Sequence, residues 1–312
     1  MPRKRKAATV NLKQLLTCFD TEERCIEWLE QARWHGTPKC PHCQGTENIT
    51  PYPSKRFTYW HKDCRKEFTV KTGSVMHASK TPTVNWIITM YTVLTARKGV
   101  SAMQLSKELG VQYKTAWYLL QRVREACKSG QLRLSNVVEV DETFIGGKEK
   151  NKRLSKRSRT ARIAHEQKQV VIGMRERGGK TLALPVEGTD RLTLWNAIQR
   201  HVEPDSTLYT DDHASYRGIE RKRFTHHSVN HSDEEYVRGL IHTNGIESVW
   251  SIFKRSIHGT WHHVSFKHLP RYIDEAAFRL NEGNCEVDTL DRMQALVGGM
   301  SGRRIPYREL VS

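Results

Sequence analysis

Hydrophobic and polar positions follow a helical period over the first third of the chain. Apolar residues recur every three or four positions after Thr21 and two glutamates, which predicts a helix over 21–33. A second apolar segment begins at Thr83, a residue able to cap a helix, and ends before Gly99. We therefore expect a helical N-terminal third, preceded by a short basic segment over 1–10.

Residues 101–127 predict two short helices joined by a turn at Gly110. This arrangement is typical of a helix-turn-helix, in which the second helix reads DNA, and we assign a helical DNA-binding segment to 81–128. An ordinary pair of antiparallel helices gives the same pattern and is the alternative. The expected DNA contacts are the polar residues at the start of the second helix, Gln112, Tyr113, Lys114 and Thr115.

The pattern changes to strand-like alternation from residue 136 onwards. The predicted strands cover 136–145, 169–174, 181–186, 206–210 and 224–230, and the predicted helices cover 194–202, 244–258 and 267–280. Three strands, a helix, two strands and further helices predict an α/β domain with a mixed sheet over 134–283. Glycines and arginines dominate 284–312, which predicts a loosely ordered C-terminal tail.

The charge of the chain indicates a polyanionic partner. Its 312 residues include 51 Lys and Arg against 34 Asp and Glu, a net charge of +17, which is typical of proteins that bind nucleic acid. A basic insertion over 148–168 interrupts the predicted sheet, and a solvated loop is the alternative to a role in binding. The residues of this insertion that we expect on DNA phosphates are Lys152, Arg153, Lys156 and Arg157.

Other classes of protein are disfavoured by the sequence. Its longest apolar stretch, 86–96, is too short to span a bilayer, and the basic N-terminus lacks the apolar run of a secretory signal. Seven unevenly spaced cysteines argue against a disulfide framework. We therefore expect an intracellular, cytoplasmic protein associated with chromosomal DNA and with no membrane partner.

Two ligand pairs predict a zinc ribbon over 36–72. Cys40 and Cys43 form the first pair, His61 and Cys64 form the second, and 17 residues separate the pairs. Each pair has the two-residue gap that lets a tight turn direct both side chains at one ion, and the ligand set suits tetrahedral Zn²⁺. Two buried thiols beside a surface histidine are the alternative.

Three acidic residues form the candidate catalytic set. Asp141 lies in a predicted strand on the face opposite Val138, Asp211 ends another strand, and Glu247 lies in a predicted helix. Carboxylates suit hard divalent cations, and two such cations can drive in-line attack on a phosphodiester. For each acid taken alone, a solvated surface carboxylate is the alternative, and only the combination in a basic chain favours catalysis.

These motifs together resemble a family of mobile-element enzymes. The paired ligands, the segment VEVDETFIGG, the strand end LYTDDHASY and the helix HTNGIESVWSIFKRSIHGTWHHVS are similar to the ISXO-type, Merlin-related insertion-sequence transposases. That family combines a zinc ribbon, a linking helical segment and a ribonuclease-H-like DDE domain. The resemblance covers roughly 20–283 and implies a multidomain α/β fold.

The resemblance also implies roles for individual residues. Asp141 and Asp211 would be the first two catalytic acids, and Glu247, 36 positions after Asp211, the third. Lys254 would lie beside the scissile phosphate. Some relatives carry asparagine as the third residue, so Asn244 competes with Glu247, although an anionic oxygen suits a divalent ion better. With Glu247 as the ligand, Asn244 would be a helix cap or a substrate contact.

The implied activity is cleavage and strand transfer at the ends of the protein's own insertion sequence, with Mg²⁺ or Mn²⁺. Its partners would be the terminal inverted repeats and target DNA, and a homodimer would assemble on the DNA. Two alternatives stay open. One is a zinc-dependent DNA-binding regulator with an inactive nuclease domain, and the other is a structure-specific nuclease of the ribonuclease-H type.

Overall fold

The computed structural model describes residues 10–130, 132–146, 168–219, 223–229, 241–283 and 287–312. The chain divides into two compact units, one of residues 1–128 with 282–312, and one of residues 129–281. The predicted phosphate contacts in the basic insertion lie outside the described residues; they are Lys152, Arg153, Lys156 and Arg157. No described helix has the length and apolar content needed to cross a membrane.

The first unit begins with two helices and a small sheet. These elements are α1 (Leu12–Cys18), α2 (Glu22–Trp34), β1 (Ile49–Pro51), β2 (Tyr59–His61) and β3 (Lys66–Phe68). Thr21 caps α2, because its side chain accepts a hydrogen bond from the backbone N–H of Arg24. The three strands form an antiparallel sheet in the order β1-β2-β3.

Three further helices follow, α3 (Thr83–Thr95), α4 (Ala102–Leu109) and α5 (Tyr113–Ala126). Gly110 ends α4 with a φ of 63°, a left-handed conformation that glycine adopts without a Cβ clash. Ala116, Leu119 and Val123 are fully or almost fully buried along one side of α5. Both helices of the predicted pair therefore form, with the glycine turn between them.

The second unit is built on a five-stranded mixed sheet. Its elements are β4 (Val137–Ile145), β5 (Gln169–Glu176), β6 (Thr181–Val186), α6 (Arg191–His201), β7 (Thr207–Asp211), β8 (Thr225–Val229), α7 (Asn244–Ser256) and α8 (Leu269–Asn281). The strand order is β6-β5-β4-β7-β8, with β5 antiparallel to both neighbours and β4, β7 and β8 parallel. The mixed sheet that the sequence pattern predicts is therefore present, and its strand order fits the ribonuclease-H-like fold that the resemblance implies.

Each face of this sheet covers its own core. Val138 and Val140 of β4 pack with Leu194 of α6, whereas Ile145 packs on the other face with Trp250 of α7. Since alternate residues of a strand point to opposite faces, the odd-numbered residues of β4 face α7. This alternation determines which acidic residues of β4 meet the helix.

The C-terminal segment is not the loose tail that its composition predicts. It forms α9 (Thr289–Gly298) and α10 (Tyr307–Val311), with Met293 and Leu296 fully buried in the first unit. Arg292 donates a hydrogen bond to the carbonyl of Leu94 (3.0 Å), and Arg303 donates to that of Glu125 (2.8 Å). The arginines that suggested disorder instead bind backbone carbonyls at the ends of α3 and α5.

Candidate active site and zinc centre

The four predicted zinc ligands meet at one point in the first unit. The Cys40 and Cys64 sulfurs lie 3.6 Å apart, and Nδ1 of His61 lies 3.2 Å from the Cys43 sulfur and 3.1 Å from the Cys64 sulfur. β2 ends at His61, and the turn after it brings Cys64 back towards the first pair. In the described part of the chain this is the only group of at least three His, Cys, Asp or Glu ligands within 4.8 Å of one another.

This cluster fits zinc. Tetrahedral bonds of about 2.3 Å to sulfur and 2.0 Å to nitrogen place ligand atoms roughly 3.5–3.8 Å apart, close to the observed spacing. Nε2 of His61 lies 3.3 Å from a carboxylate oxygen of Asp63. A carboxylate on the far side of a histidine ring orients the ring and leaves the other nitrogen free for the metal.

Strand pairing brings the first two candidate acids together. β4 and β7 are parallel, and their last registered pair is Glu139 with Tyr209. Two residues further along each strand, Asp141 and Asp211 follow on neighbouring strands and on the same face. Their side chains interact, since the charge of Asp211 contributes to the raised pKa of Asp141.

Asp141 is held by a tryptophan of the facing helix. Nε1 of Trp250 donates to one carboxylate oxygen of Asp141 (2.9 Å), and the backbone N–H of Glu142 donates to the other (2.8 Å). Burial, with the neighbouring charges of Glu142 and Asp211, raises the pKa of Asp141 to about 7. The site therefore concentrates negative charge that a cation would offset.

Trp250 reaches Asp141 because β5 carries a glycine opposite that residue. Gly173 pairs with Asp141 across β4 and β5, and a Cβ built on it would lie 2.4 Å from the Trp250 ring. Trp250 is almost fully buried, as expected for a core residue. Sequence analysis missed the role of Gly173, for which a lone glycine inside a strand was the available signal.

Glu142 points to the opposite face of the sheet. The buried hydroxyl of Tyr216, 1% exposed, donates a hydrogen bond to its carboxylate. Burial and the charge of Asp211 raise the pKa of Glu142, and the hydrogen bond from Tyr216 opposes this rise. Tyr216 thus contacts Glu142 on the face of the sheet opposite to Asp141.

The third candidate acid lies on the helix that faces Asp141. Glu247 is exposed, lies three residues before Trp250, and accepts a hydrogen bond from the hydroxyl of Thr243 (3.0 Å). Among described residues, Glu247 does not form a group with Asp141 and Asp211 in which all ligand atoms lie within 4.8 Å. Lys254, two turns further along, is also exposed.

Asn244 is placed differently from one of its predicted roles. It is the exposed first residue of α7, and Thr243 occupies the capping position, so the expectation that Asn244 caps this helix is wrong. The backbone N–H of Ile246 instead donates to a carboxylate oxygen of Glu139, a buried residue of β4 (3.0 Å). A carboxylate at this end also interacts favourably with the helix dipole.

Glu139 is a further residue that sequence analysis missed. Its side chain is 3% exposed and accepts a hydrogen bond from Nε of Arg177 (3.1 Å). Nη2 of the same arginine donates to the carbonyl of His242 (3.1 Å). A Cβ on Gly245 would lie 2.5 Å from the Glu139 carboxylate, so glycine is needed at that contact. We call Glu139 and Arg177 the clamp, because they fix the start of the helix that carries Glu247.

The predicted helix-turn-helix contacts lie at the start of α5. Gln112, Tyr113 and Lys114 are exposed, and Thr115 is half-buried. Gln112 occupies the capping position of the helix without a side-chain hydrogen bond to it. These side chains are therefore available to a ligand in the first unit.

Comparison with known proteins defines the class of this chain. Residues 133–281 match the ISXO2-like transposase domain, and residues 20–67 match the transposase zinc-ribbon domain. A protein of Halobacterium salinarum, named as part of transposable element ISH50, is 30% identical over 248 residues, covering 76% of this chain and 83% of the relative. The chain belongs to the ISXO2-like transposase family.

Two further kinds of similarity were found. A transposase-like protein of Haemophilus influenzae is 29% identical over 121 residues, which cover 38% of this chain and 95% of that protein. The Mos1 strand transfer complex is 12% identical, with 67% of this chain and 73% of that chain covered and a TM-score of 0.28. A pre-cleavage Mos1 transpososome is also 12% identical, with 91% of this chain and 92% of that chain covered and a TM-score of 0.29. TM-scores this low support no conclusion about the fold of this chain.

Proposed function

We propose that this transposase performs metal-dependent strand cleavage and strand transfer at the ends of its own insertion sequence. The observation that carries the proposal is the position of Asp141 and Asp211 on adjacent parallel strands, on the sheet face covered by α7. Two carboxylates in this arrangement, beside a third on the facing helix, suit a hard divalent cation.

Mg²⁺ or Mn²⁺ would be held by Asp141 and Asp211, with Glu247 as the third ligand. When bound, such ions activate the attacking oxygen and stabilise the leaving oxygen of a phosphodiester. Trp250 holds one oxygen of Asp141, which leaves the carboxylate oriented before a cation arrives. Lys254, from the same helix as Glu247, would contact the scissile phosphate.

Glu247 competes with Asn244 for the third position. Both residues are exposed and lie three positions apart on α7. The hydrogen bond from Thr243 orients the Glu247 carboxylate, and an anionic oxygen offsets more cation charge than an amide does. If Glu247→Gln kept near-normal activity and Asn244→Ala lost it, Asn244 would be the ligand.

DNA is the proposed partner, as terminal inverted repeats and as target, with a homodimer assembled on it. The basic insertion would lie along phosphates, so affinity would fall with salt by about 0.9 log unit per log unit of salt for each phosphate neutralised. Replacing the four basic residues by glutamine should flatten this slope, and an unchanged slope would mean that they do not touch the backbone; they are Lys152, Arg153, Lys156 and Arg157.

The test is to incubate the protein with Mg²⁺ and DNA carrying both flanking ends of its element, and to map the cut positions and joined products. We expect cuts at the element ends and their transfer to target DNA. DNA binding without cleavage would favour a regulator, and cleavage without joining would favour a structure-specific nuclease.

Substitutions separate chemistry from binding in the same assay. Asp141→Asn, Asp211→Asn and Glu247→Gln should each remove cleavage while DNA affinity is kept. Asp212→Asn is the matched control, because Asp212 is the exposed neighbour of Asp211 and carries the same charge. Equal loss of activity in the control would contradict the assignment of Asp211.

A further inference from the structure

A basic cavity lies within the first unit. Its volume is about 270 Å³, and its walls come from residues 77–81, from α5 and from residues 304–306. Three of the lining residues carry a permanent positive charge, namely Lys80, Arg122 and Arg304, and none of the described residues that line it is acidic. The C-terminal segment therefore completes a cation-lined pocket on the second helix of the helix-turn-helix pair.

Arg122 is fixed in this cavity without a counter-charge. It is 3% exposed, its guanidinium carbon lies 5.1 Å from the Trp86 ring centre and 5.0 Å from that of Tyr118, and it donates to the carbonyl of His77 (2.6 Å). In the described part of the chain its buried Nε has no hydrogen-bond partner. A buried charge of this kind is costly unless an anion pairs with it.

The other two cations also have no acidic partner. Lys80 and Arg304 are exposed at the mouth of the cavity, and no carboxylate of the described residues forms an ion pair with either of them or with Arg122. The three charges repel one another, and the charge of Arg304 contributes to the lowered pKa of Arg122, which burial chiefly causes. One bound anion would offset all three.

Two neutral donors line the same space. Nδ1 of His77 accepts a hydrogen bond from the backbone N–H of Gly73 (3.2 Å), which assigns the ring proton of the neutral form to Nε2. Burial and the charges of Arg304 and Arg122 lower the pKa of His77, so the ring is a neutral donor. The Ser79 hydroxyl accepts from the N–H of Thr81 (3.2 Å) and keeps its own hydrogen to donate.

We infer that this cavity binds a phosphate group of the DNA backbone. The guanidinium fork matches phosphate oxygens, and the surrounding donors are those that a phosphate accepts from. The volume falls below the usual range for small-molecule sites, which suits one phosphate with part of its sugar. Arg122 belongs to α5, whose first turn carries the expected DNA contacts, so the inference rests on the proposed DNA binding.

Arg304→Gln tests the site, with Arg308→Gln as the matched control. Both arginines are exposed and lose the same charge, but Arg308 does not line the cavity. Affinity for a short DNA duplex is measured against salt concentration. We expect Arg304→Gln to lower the slope of log affinity against log salt by about 1, and Arg308→Gln to leave it unchanged.

Lys80→Gln is the second variant, which also replaces an exposed residue and should keep the fold. It should lower the slope as Arg304→Gln does, while both variants keep the wild-type circular dichroism. Equal slopes for Arg304→Gln and Arg308→Gln would overturn the inference.

Inorganic phosphate distinguishes a free ligand from DNA. If phosphate raised the melting temperature of the wild type but not of Arg304→Gln, while the DNA slopes stayed equal, the cavity would bind free phosphate and the DNA assignment would be wrong. Failure of the wild type to bind DNA would instead contradict the proposed function. The backbone-phosphate site is supported if the slope falls for Arg304→Gln and for Lys80→Gln but not for Arg308→Gln.

Discussion

The zinc centre brings all four of its ligands within 4.8 Å of one another, whereas the acidic site has two aspartates together and Glu247 exposed on the facing helix. The zinc ligands come from turns close in sequence and from a three-stranded sheet. The acids come from strands and a helix that are 70 and 36 positions apart. The first site depends on local structure, and the second depends on the whole fold of its unit.

The two sites also differ in charge. Thiolates and an imidazole at the zinc centre pair with one ion, and a closed ligand set of this kind is typical of structural zinc. At the acidic site, Asp141 carries a pKa of about 7 because burial and like charges oppose its ionisation. A site whose charges repel in the absence of a cation gains from binding a divalent ion, which offsets that repulsion. The zinc centre therefore suits a metal needed for folding, and the acidic site suits the ion that we propose for the reaction.

Loss of a zinc ligand should have the largest effect. Structural zinc contributes about 10 kcal/mol or more to the folding of small zinc domains, so Cys40→Ser should lose the metal and unfold 36–72. The unit of residues 129–281 should stay folded. Elemental analysis would show about one zinc per wild-type chain, and limited proteolysis would locate the unfolded segment.

Cys18→Ser is the control for this experiment, because Cys18 is an exposed free thiol outside the cluster. It should keep full zinc content. If Cys40→Ser also kept its full zinc content, the four-ligand centre would be excluded, and the contrast between a structural zinc centre and the acidic site would no longer hold.

The clamp should give the next largest effect. Glu139→Gln removes the buried charge that faces Arg177 and weakens the cap on the N–H of Ile246, which should lower the free energy of unfolding by about 3 kcal/mol. Because α7 carries Glu247, cleavage should also require more Mg²⁺. Urea unfolding and the Mg²⁺ dependence of cleavage at constant DNA saturation measure the two effects.

Glu187→Gln is the control for the clamp, since Glu187 is an exposed carboxylate of the same unit. It should change neither the free energy of unfolding nor the Mg²⁺ dependence of cleavage. A Glu139→Gln variant that is less stable but has the wild-type Mg²⁺ dependence would show that the clamp supports the fold without positioning the catalytic helix.

Mg²⁺ should stabilise the acidic site by a smaller amount. At 100 times its dissociation constant, a ligand that binds only the folded state adds about 2.7 kcal/mol to the free energy of unfolding. We expect this increase for the wild type and for Asp212→Asn, and its loss in Asp141→Asn. Thermal unfolding of zinc-loaded protein with and without Mg²⁺ gives the answer, and an equal shift in Asp141→Asn would mean that the ion binds elsewhere.

The same contrast explains what could be predicted from the sequence. The zinc ligands were recognisable because Cys40 to Cys43 and His61 to Cys64 each fit one turn, and the structure places all four together. The strands of the second unit were also predicted, because alternation and length identify strands locally, whereas the ribonuclease-H-like fold was implied by the resemblance to the family.

Contacts between distant elements could not be predicted in this way. Gly173 and Trp250 meet through the register of β4 and β5, and Glu139 reaches Ile246 through the packing of α7. Spacing along the chain carries no information about either contact. The C-terminal prediction failed for a related reason, since Arg292 and Arg303 find carbonyl partners only when the unit is assembled.

Gly173→Ala should have the smallest effect and tests how closely Trp250 must approach Asp141. The new Cβ would lie 2.4 Å from the Trp250 ring and 2.8 Å from a methyl of Ile246, so the helix or the ring must move. Overpacking of this kind costs about 2 kcal/mol, which urea unfolding would measure. Since Trp250 holds one oxygen of Asp141, cleavage should fall while DNA affinity stays unchanged.

Gly188→Ala is the control, because its Cβ would lie 3.4 Å from the nearest atom, an ordinary contact. If Gly173→Ala lost stability but kept full activity, the hydrogen bond from Trp250 would be part of the core alone, and the orientation of Asp141 would have to come from the bound cation.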